Sequence, residues 1–210
     1  MRKLLTVAAA VMLLAACSKE QSTDLGQMLV SIDPTIANPA VTPPLAPQSR
    51  ATDTDFEQGD AVGLTITLTA KNNEKFVENK QMTFNAATQT FTASEFRWYE
   101  DYNTPSTLFA YYPYTEGTAA PAEFTMQADQ SGEGYTESDL IVAIKGGVYP
   151  SKNSTPMTFK HKSTRIIISV TNGTAFEVTA ISIKGAVCTG SLDAETGEFK
   201  AKAGVEASNV

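Results

Sequence analysis

The sequence predicts an all-β protein, an antiparallel β-sandwich with few or no helices. Three observations lead there. At least eight short runs alternate apolar and polar residues with period two or are short apolar blocks. Turn formers such as Asn, Gly and Pro separate them at short intervals. No segment carries a convincing helical period. Short strands with turn signals at this spacing are the pattern of a sandwich. From Ala51 onward there are 160 residues, enough to bury a sound core.

The N-terminus precedes the fold. Arg2 and Lys3 give a positive start, and Leu4 to Ala16 is an apolar run of thirteen residues broken only by Thr6. A spanning helix needs about 20 residues, so this run fits the core of an export signal. It ends in Leu14-Ala15-Ala16-Cys17. Small residues before a cysteine suit a lipoprotein signal peptidase, with Cys17 acylated as the first mature residue. An ordinary signal peptide that happens to contain a cysteine is the alternative. Two or three acyl chains on Cys17 would anchor the chain stably to a membrane, unlike one.

Ser18 to Gly26 reads as a polar tether. Gln27 to Asp33 alternates, with Met28, Val30 and Ile32 on one face, and reads as a short strand. From Pro34 to Pro47, five of the ten prolines fall in fourteen residues. Such a stretch is an extended linker and no central strand. Arg50, just past it, is the only basic residue between Lys19 and Lys71. An isolated arginine in an exposed segment is a natural site for a trypsin-like protease, cutting between Arg50 and Ala51. An incidental surface arginine is the alternative.

The sandwich strands follow in order. Leu64, Ile66 and Leu68 alternate with Thr65, Thr67 and Thr69. Phe84 and Phe91 flank a hairpin loop from Asn85 to Gln89. Thr107 to Tyr114 is a strand stopped by Pro113, and Asp139 to Ile144 is a short apolar one. Arg165 to Thr171, Phe176 to Lys184, Ala186 to Leu192 and Gly197 to Lys200 complete the set. Thr179-Ala180-Ile181 shifts the alternation by one, as a bulge does.

Composition narrows the chemistry. The formal charge of −7 disfavours a nucleic-acid partner, which wants clustered Lys and Arg. One histidine and two cysteines leave little for a transition-metal site. A Ser/His or Cys/His pair would have to use His161. No cofactor and no catalytic activity are expected. His161 reads as a hydrogen-bonding structural residue, and Glu100-Asp101 as a turn. With Cys17 acylated, Cys188 lacks an intramolecular partner and reads as a buried inert thiol more than as a reactive one. Trp98, Tyr99, Tyr102, Tyr111, Tyr112 and Tyr114 suit a sandwich core and its rim, or else an aromatic sugar-binding surface. Asn153-Ser154-Thr155 and Asn172-Gly173-Thr174 match a glycosylation sequon but read as turns.

Charge is segregated. Asp53, Asp55, Glu57 and Asp60 lie in 51–60 without a positive residue. Lys145, Lys152, Lys160, Lys162 and Arg165 lie in 140–176 without an acid. Either the two segments face each other, within a subunit or across a junction, or each is separately solvated. Their value would be orientation and association rate.

Several motifs resemble one family. Phe56-Glu57-Gln58-Gly59-Asp60-Ala61-Val62-Gly63 is similar to the F-x-x-G-D-x-x-G opening of fimbrillin-family proteins of Bacteroidales. Phe84 through Trp98, with Thr88-Gln89-Thr90-Phe91-Thr92, is similar to the hairpin that follows it. Phe109-Ala110-Tyr111-Tyr112-Pro113-Tyr114 resembles the family's strand end, and Asp139-Leu140-Ile141-Val142-Ala143 its D-L-L-x-A segment. Phe159-Lys160-His161-Lys162 followed by Arg165 to Val170 resembles a further conserved block. The resemblance covers roughly Gln27 to Lys200.

It implies a transthyretin-like Greek-key sandwich over 51–210, behind a signal peptide over 1–16 and a tether, first strand and linker over 17–50. It implies a lipoprotein precursor displayed on the outer membrane and a subunit of a type V pilus serving adhesion. Its partners would be other fimbrial subunits and, on the host side, a surface protein or glycan. Cleavage after Arg50 would remove the strand containing Met28, Val30 and Ile32, and a strand of the next subunit would replace it. A permanent edge strand on an anchored monomer, binding glycan or host protein, is the alternative. Polymerising members usually carry a second sandwich and a C-terminal donor, whereas this sequence runs to Val210. It is therefore expected to be either a fragment or a one-domain variant, and in the latter case a cap, an anchor or a non-polymerising surface protein.

Overall fold

The computed structural model describes residues 28–37, 54–164, 166, 168–179 and 181–202. The all-β expectation holds. β1 (Leu29–Ile36), β2 (Ala61–Leu68), β3 (Glu74–Asn85), β4 (Thr90–Arg97), β5 (Ser106–Tyr112), β7 (Ile141–Val148) and β8 (Thr155–His161) form one sheet, in the order β1-β4-β3-β2-β5-β7-β8. β6 (Glu123–Thr125), β9 (Thr189–Leu192) and β10 (Phe199–Ala201) form a second, in the order β10-β9-β6. α1 (Glu133–Glu137) is a single helical turn.

The main sheet closes on itself, which the sequence does not announce. Every pair in it is antiparallel except β1 with β8. β1 is shared between its neighbours in halves. Leu29, Ser31 and Ile32 pair with β4, and Ile32 to Ile36 pair with β8, so Ile32 alone pairs with both. The register shifts between Leu29 and Ser31. A strand that changes sheets at such an irregularity is how two packed layers join at a corner. The barrel is thus a two-layer β fold closed along one edge by β1.

Pro34 lies inside β1, although the proline-rich linker was expected to start there. The reason is the shared pairing. Over the second half of β1 only β8 is alongside, so a proline there forfeits no bond to β4. The strand therefore runs on to Ile36, and Ala37 N–H donates to the Phe159 carbonyl at 2.8 Å.

The barrel interior is filled from all sides. Val62, Leu64, Ile66 and Leu68 of β2 point in, with Met82 and Phe84 of β3, Phe91 of β4, and Met157 and Phe159 of β8. Leu108 to Tyr112 of β5 and Ile141 to Ala143 of β7 are unbroken apolar runs because both of their faces are covered there. Leu108, Ala110 and Tyr112 face the interior, whereas Phe109 and Tyr111 face a second cluster with Phe124, Leu140, Val142 and Leu192. That second cluster is roofed by the β6-β9-β10 sheet. Cys188, just before β9, is buried as a free thiol, as expected.

A polar anchor fixes the β2–β3 hairpin. Asn79 is buried at a φ of 52°. Its Oδ1 accepts from the Tyr111 hydroxyl at 2.7 Å, and its Nδ2 donates to the carbonyls of Thr115 and Gly117, both at 3.0 Å. Burial pushes the Tyr111 hydroxyl pKa up despite its bonds to Thr115 and Asn79. Gly63 leaves the space these groups use: a Cβ there would overlap the Tyr111 ring and Asn79 Oδ1. Gly63→Ala should therefore lower stability by about 1–3 kcal/mol, the usual range for overpacking. A urea melt with an unchanged midpoint would contradict that.

Two expected strands, over 165–171 and 176–184, do not form: the described residues of 166–184 contain no strand, and the bulge expected at Thr179 to Ile181 goes with them. Both flanks of β8 are taken, by β7 and β1, so the run that follows it cannot extend the main sheet. Of the two sequons, read as turns, the first is a bend that runs into β8 at Thr155, and the second is closed by a side-chain bond. Asn153 N–H donates to Ser151 Oγ at 3.0 Å, and Asn172 Oδ1 accepts from Thr174 N–H at 3.0 Å.

Candidate functional site

β1 is held in the barrel by the packing of one face. Met28, Val30 and Ile32 are the alternating face the sequence marks, and the structure brings them together. They are 5%, 1% and 0% exposed, and Ile36 joins them at 7%. Leu29, Asp33 and Thr35 point outward. Burying such a side chain contributes about 1.5–3 kcal/mol, so the four together contribute about 6–12 kcal/mol. That is comparable to the whole stability of a domain, about 5–15 kcal/mol.

The covalent link is thinner. β1 joins the rest of the barrel only through the stretch 37–53, which carries Arg50. Arg50 and Ala51 lie outside the described residues, as does Cys17.

Removing β1 would leave a groove with β4 on one wall and β8 on the other. At one end stands Trp98, buried beside Tyr99 with ring centroids 5.9 Å apart. Its backbone N–H donates to the Met28 carbonyl at 3.0 Å. Its indole Nε1 is buried with no acceptor among the described residues, so packing alone holds the ring. At the other end a cleft is lined by Pro34, Ile36, Asp55, Phe56 and Phe84. Midway, Ser31 Oγ donates to Ser154 Oγ at 2.9 Å, tying β1 to the loop before β8.

Phe56 closes the barrel at that second end. Its ring meets Phe91 at 4.8 Å, Phe159 at 5.1 Å, Tyr112 at 5.8 Å and Phe84 at 6.0 Å between centroids. The residues after it hold it there. Gly59 adopts a φ of 93°, which favours glycine. Asp60 Oδ2 accepts from the Glu57 N–H at 2.8 Å, and Tyr112 OH reaches Asp60 Oδ1 at 3.5 Å. The F-x-x-G-D-x-x-G pattern therefore has a structural content: a plug, a left-handed turn, a buried carboxylate that ties the turn, and at Gly63 a close approach.

The other candidates resolve as structure. Trp98, Tyr99, Tyr111 and Tyr112 are buried, which leaves no sugar-stacking platform among those four. His161 Nδ1 and Asp139 Oδ1 are 2.8 Å apart, fastening the end of β8 to the start of β7. Asp101 accepts from Thr104 Oγ1 at 2.7 Å, and Lys71 lies 3.6 Å away. The Thr104 bond first, then other hydrogen bonds and Lys71, holds this exposed carboxyl below its usual range. No group of three His, Cys, Asp or Glu among the described residues could hold a metal. No helix among them is long and apolar enough to cross a membrane. In the basic segment, Lys145 Nζ donates to the Pro156 carbonyl at 2.7 Å, while in the acidic one Asp60 serves the turn just described.

Sequence reasoning missed Ile36 and the plug role of Phe56. Ile36 keeps the period of Met28, Val30 and Ile32 beyond Pro34, and that continuation was the available signal.

An all-β fold whose first strand closes a barrel by packing defines the class. The chain belongs to the fimbrillin-like family, whose sequence model matches residues 49–210. No curated protein matches. Among solved structures, one is described as a "putative cell adhesion protein from Bacteroides ovatus ATCC 8483". It shares 21% identity at a TM-score of 0.57, over 87% of this chain and 70% of that one. A second carries the same description from Bacteroides uniformis ATCC 8492, with 18% identity, a TM-score of 0.56, and coverage of 87% and 68%. At such identities the likeness speaks for the fold.

Proposed function

We propose that this chain is a cell-surface fimbrial subunit, or an accessory subunit, that serves adhesion and assembles by strand exchange. In this reading the precursor is held at the outer membrane by lipid on Cys17. A protease cuts between Arg50 and Ala51, β1 leaves, and a strand from another subunit takes its place. The observation that carries the reading is β1 itself: a strand whose inward face closes the core and whose connection to β2 carries Arg50. Family membership and the cell-adhesion description of the structural neighbours support the same reading. So does general physics. An open sheet edge beside an open core is satisfied by an added strand, with side chains seated at alternate positions. A head-to-tail contact that does not close grows a filament.

The test uses surface material from the native cells, run on a gel after mild and then full heating, with N-terminal sequencing of the bands. The expected result is a ladder that collapses on full heating, with a new N-terminus at Ala51. A single band still carrying acylated Cys17 would overturn the exchange mechanism and leave an anchored monomer.

A further inference from the structure

We propose that the outer face of β7 and β8 carries a binding site for an acidic sugar, whose carboxylate sits between Lys160 and Lys162. The proposal rests on the adhesion part of the reading above, whose ligand it names, and not on strand exchange.

The site is a cleft of about 190 Å³. β8 sends Met157 and Phe159 into the barrel, so Thr158 and Lys160 point out. Lys162, two residues on, lines the same cleft. Lys160 lies opposite Val142 of β7, and cross-strand partners share a face. Val142 and Ile144 form the apolar floor. The turn from Asp193 to Gly197 makes the far wall. There Gly197 N–H donates to the Asp193 carbonyl at 2.7 Å. Asp193 Oδ1 accepts from the N–H of Glu195 at 2.8 Å and of Thr196 at 3.2 Å. Gly197 has a φ of 67° and lies close against the floor: a Cβ on it would come within 3.3 Å of Val142 Cγ1. The wall is therefore fixed before any ligand arrives.

The charge in this cleft opposes that of the chain, which is −7 overall. Lys71 pairs with Asp101, Lys75 with Glu78, Lys200 with Glu198 and Lys202 with Glu123. Lys160 and Lys162 have no such partner among the described residues. The acids around them are engaged elsewhere: Asp139 with His161, Asp193 with the turn amides, Glu198 with Lys200. Glu195 is exposed on the turn and does not line the cleft.

Two ammonium groups without an acid attract an anion, and the remaining lining says which. A phosphate site would add an arginine fork or a nest of free amides. No arginine lines the cleft, and the amides of Thr196 and Gly197 are already used. What lies beside the lysines is the hydroxyls of Thr158 and Thr196 and an apolar floor. Hydroxyls and the C–H face of a sugar ring match that lining, and a carboxylate on the ring matches the lysines. The volume is below the roughly 300–1,000 Å³ of drug-sized sites, so one terminal ring is what fits.

The test titrates the full, uncut chain at low salt with sialyllactose, methyl glucuronide, lactose, inorganic phosphate and N-acetylglutamate. The expected result is binding of an acidic sugar, with lactose weaker by about tenfold or more and the binding lost at high salt. Lys160→Gln combined with Lys162→Gln should weaken it by about tenfold at an unchanged melting temperature. Ile144→Glu, which places a carboxylate on the floor, should do the same. Failure of both acidic sugars to bind, or binding unchanged in both variants, would overturn the site. Phosphate or N-acetylglutamate bound as tightly would overturn the sugar assignment. Cells that display the chain separate this proposal from the adhesion reading. Equal adhesion to surfaces stripped of acidic sugars would overturn the ligand and leave adhesion standing. Sugar binding by the purified chain with no adhesion by the cells would overturn adhesion and leave the site standing.

Discussion

A chain that begins at Ala51 should not hold the native barrel on its own. Met28 and the three inward side chains of β1 account for about 6–12 kcal/mol of burial, against a total stability of about 5–15 kcal/mol. Backbone loss adds to this, because β4 and β8 would both expose unpaired groups. The expected result is a chain with retained strand content and little fixed tertiary structure. Trp98 reports it directly. With Met28 gone, the ring loses its cover at the groove end, so its emission should shift to the red and its near-ultraviolet dichroism should fade. A peptide of residues 27–37 added in excess should restore both signals. Full restoration by a peptide with Ile32→Asn would show that the inward face is not what binds. A truncated chain that melts as the intact one does would remove β1 from any role in stability.

The second large effect is expected at Phe56. Phe56→Ala empties a ring from among Phe84, Phe91, Tyr112 and Phe159. Large-to-small changes of this kind cost about 3–5 kcal/mol. Phe176→Ala is the control: that ring is 82% exposed, and surface changes stay within about 0.5 kcal/mol. Equal melting midpoints for the two variants would mean that Phe56 is no plug. Its position also bears on maturation. Only a few residues separate Phe56 from Arg50, so a new N-terminus at Ala51 would be held to the barrel by this ring.

Much of the barrel was legible because each of its long strands has one face in the core. Leu64, Ile66 and Leu68 of β2 and the Phe84–Phe91 hairpin carry that alternation openly. So do Met28, Val30 and Ile32, which is why the groove strand could be found at all. Closure was not legible. β1 and β8 lie more than a hundred residues apart and pair in parallel, and nothing local encodes a partner at that distance. β6, at three residues, is too short to show a period, whereas β10 falls largely within the strand expected at Gly197 to Lys200. The runs at 165–171 and 176–184 show the opposite failure. Their alternation is strand-like, but a strand also needs a pairing partner, and the closed main sheet offers them none. Asp60 was read as part of an acidic patch; it is buried because its carboxylate serves the Glu57 amide, a use that charge counting does not see.

The division of β1 between two neighbours has a kinetic consequence. Its first half bonds to β4 and its second to β8, with Ile32 as the sole overlap. A strand held in halves can be replaced in halves. An incoming segment can gain a foothold along β4 while the outgoing one still grips β8, or the reverse. The intermediate keeps most of the core covered throughout, so exchange can proceed without an empty barrel ever being populated. The barrier is then that of opening about four residues, well below that of withdrawing eight at once.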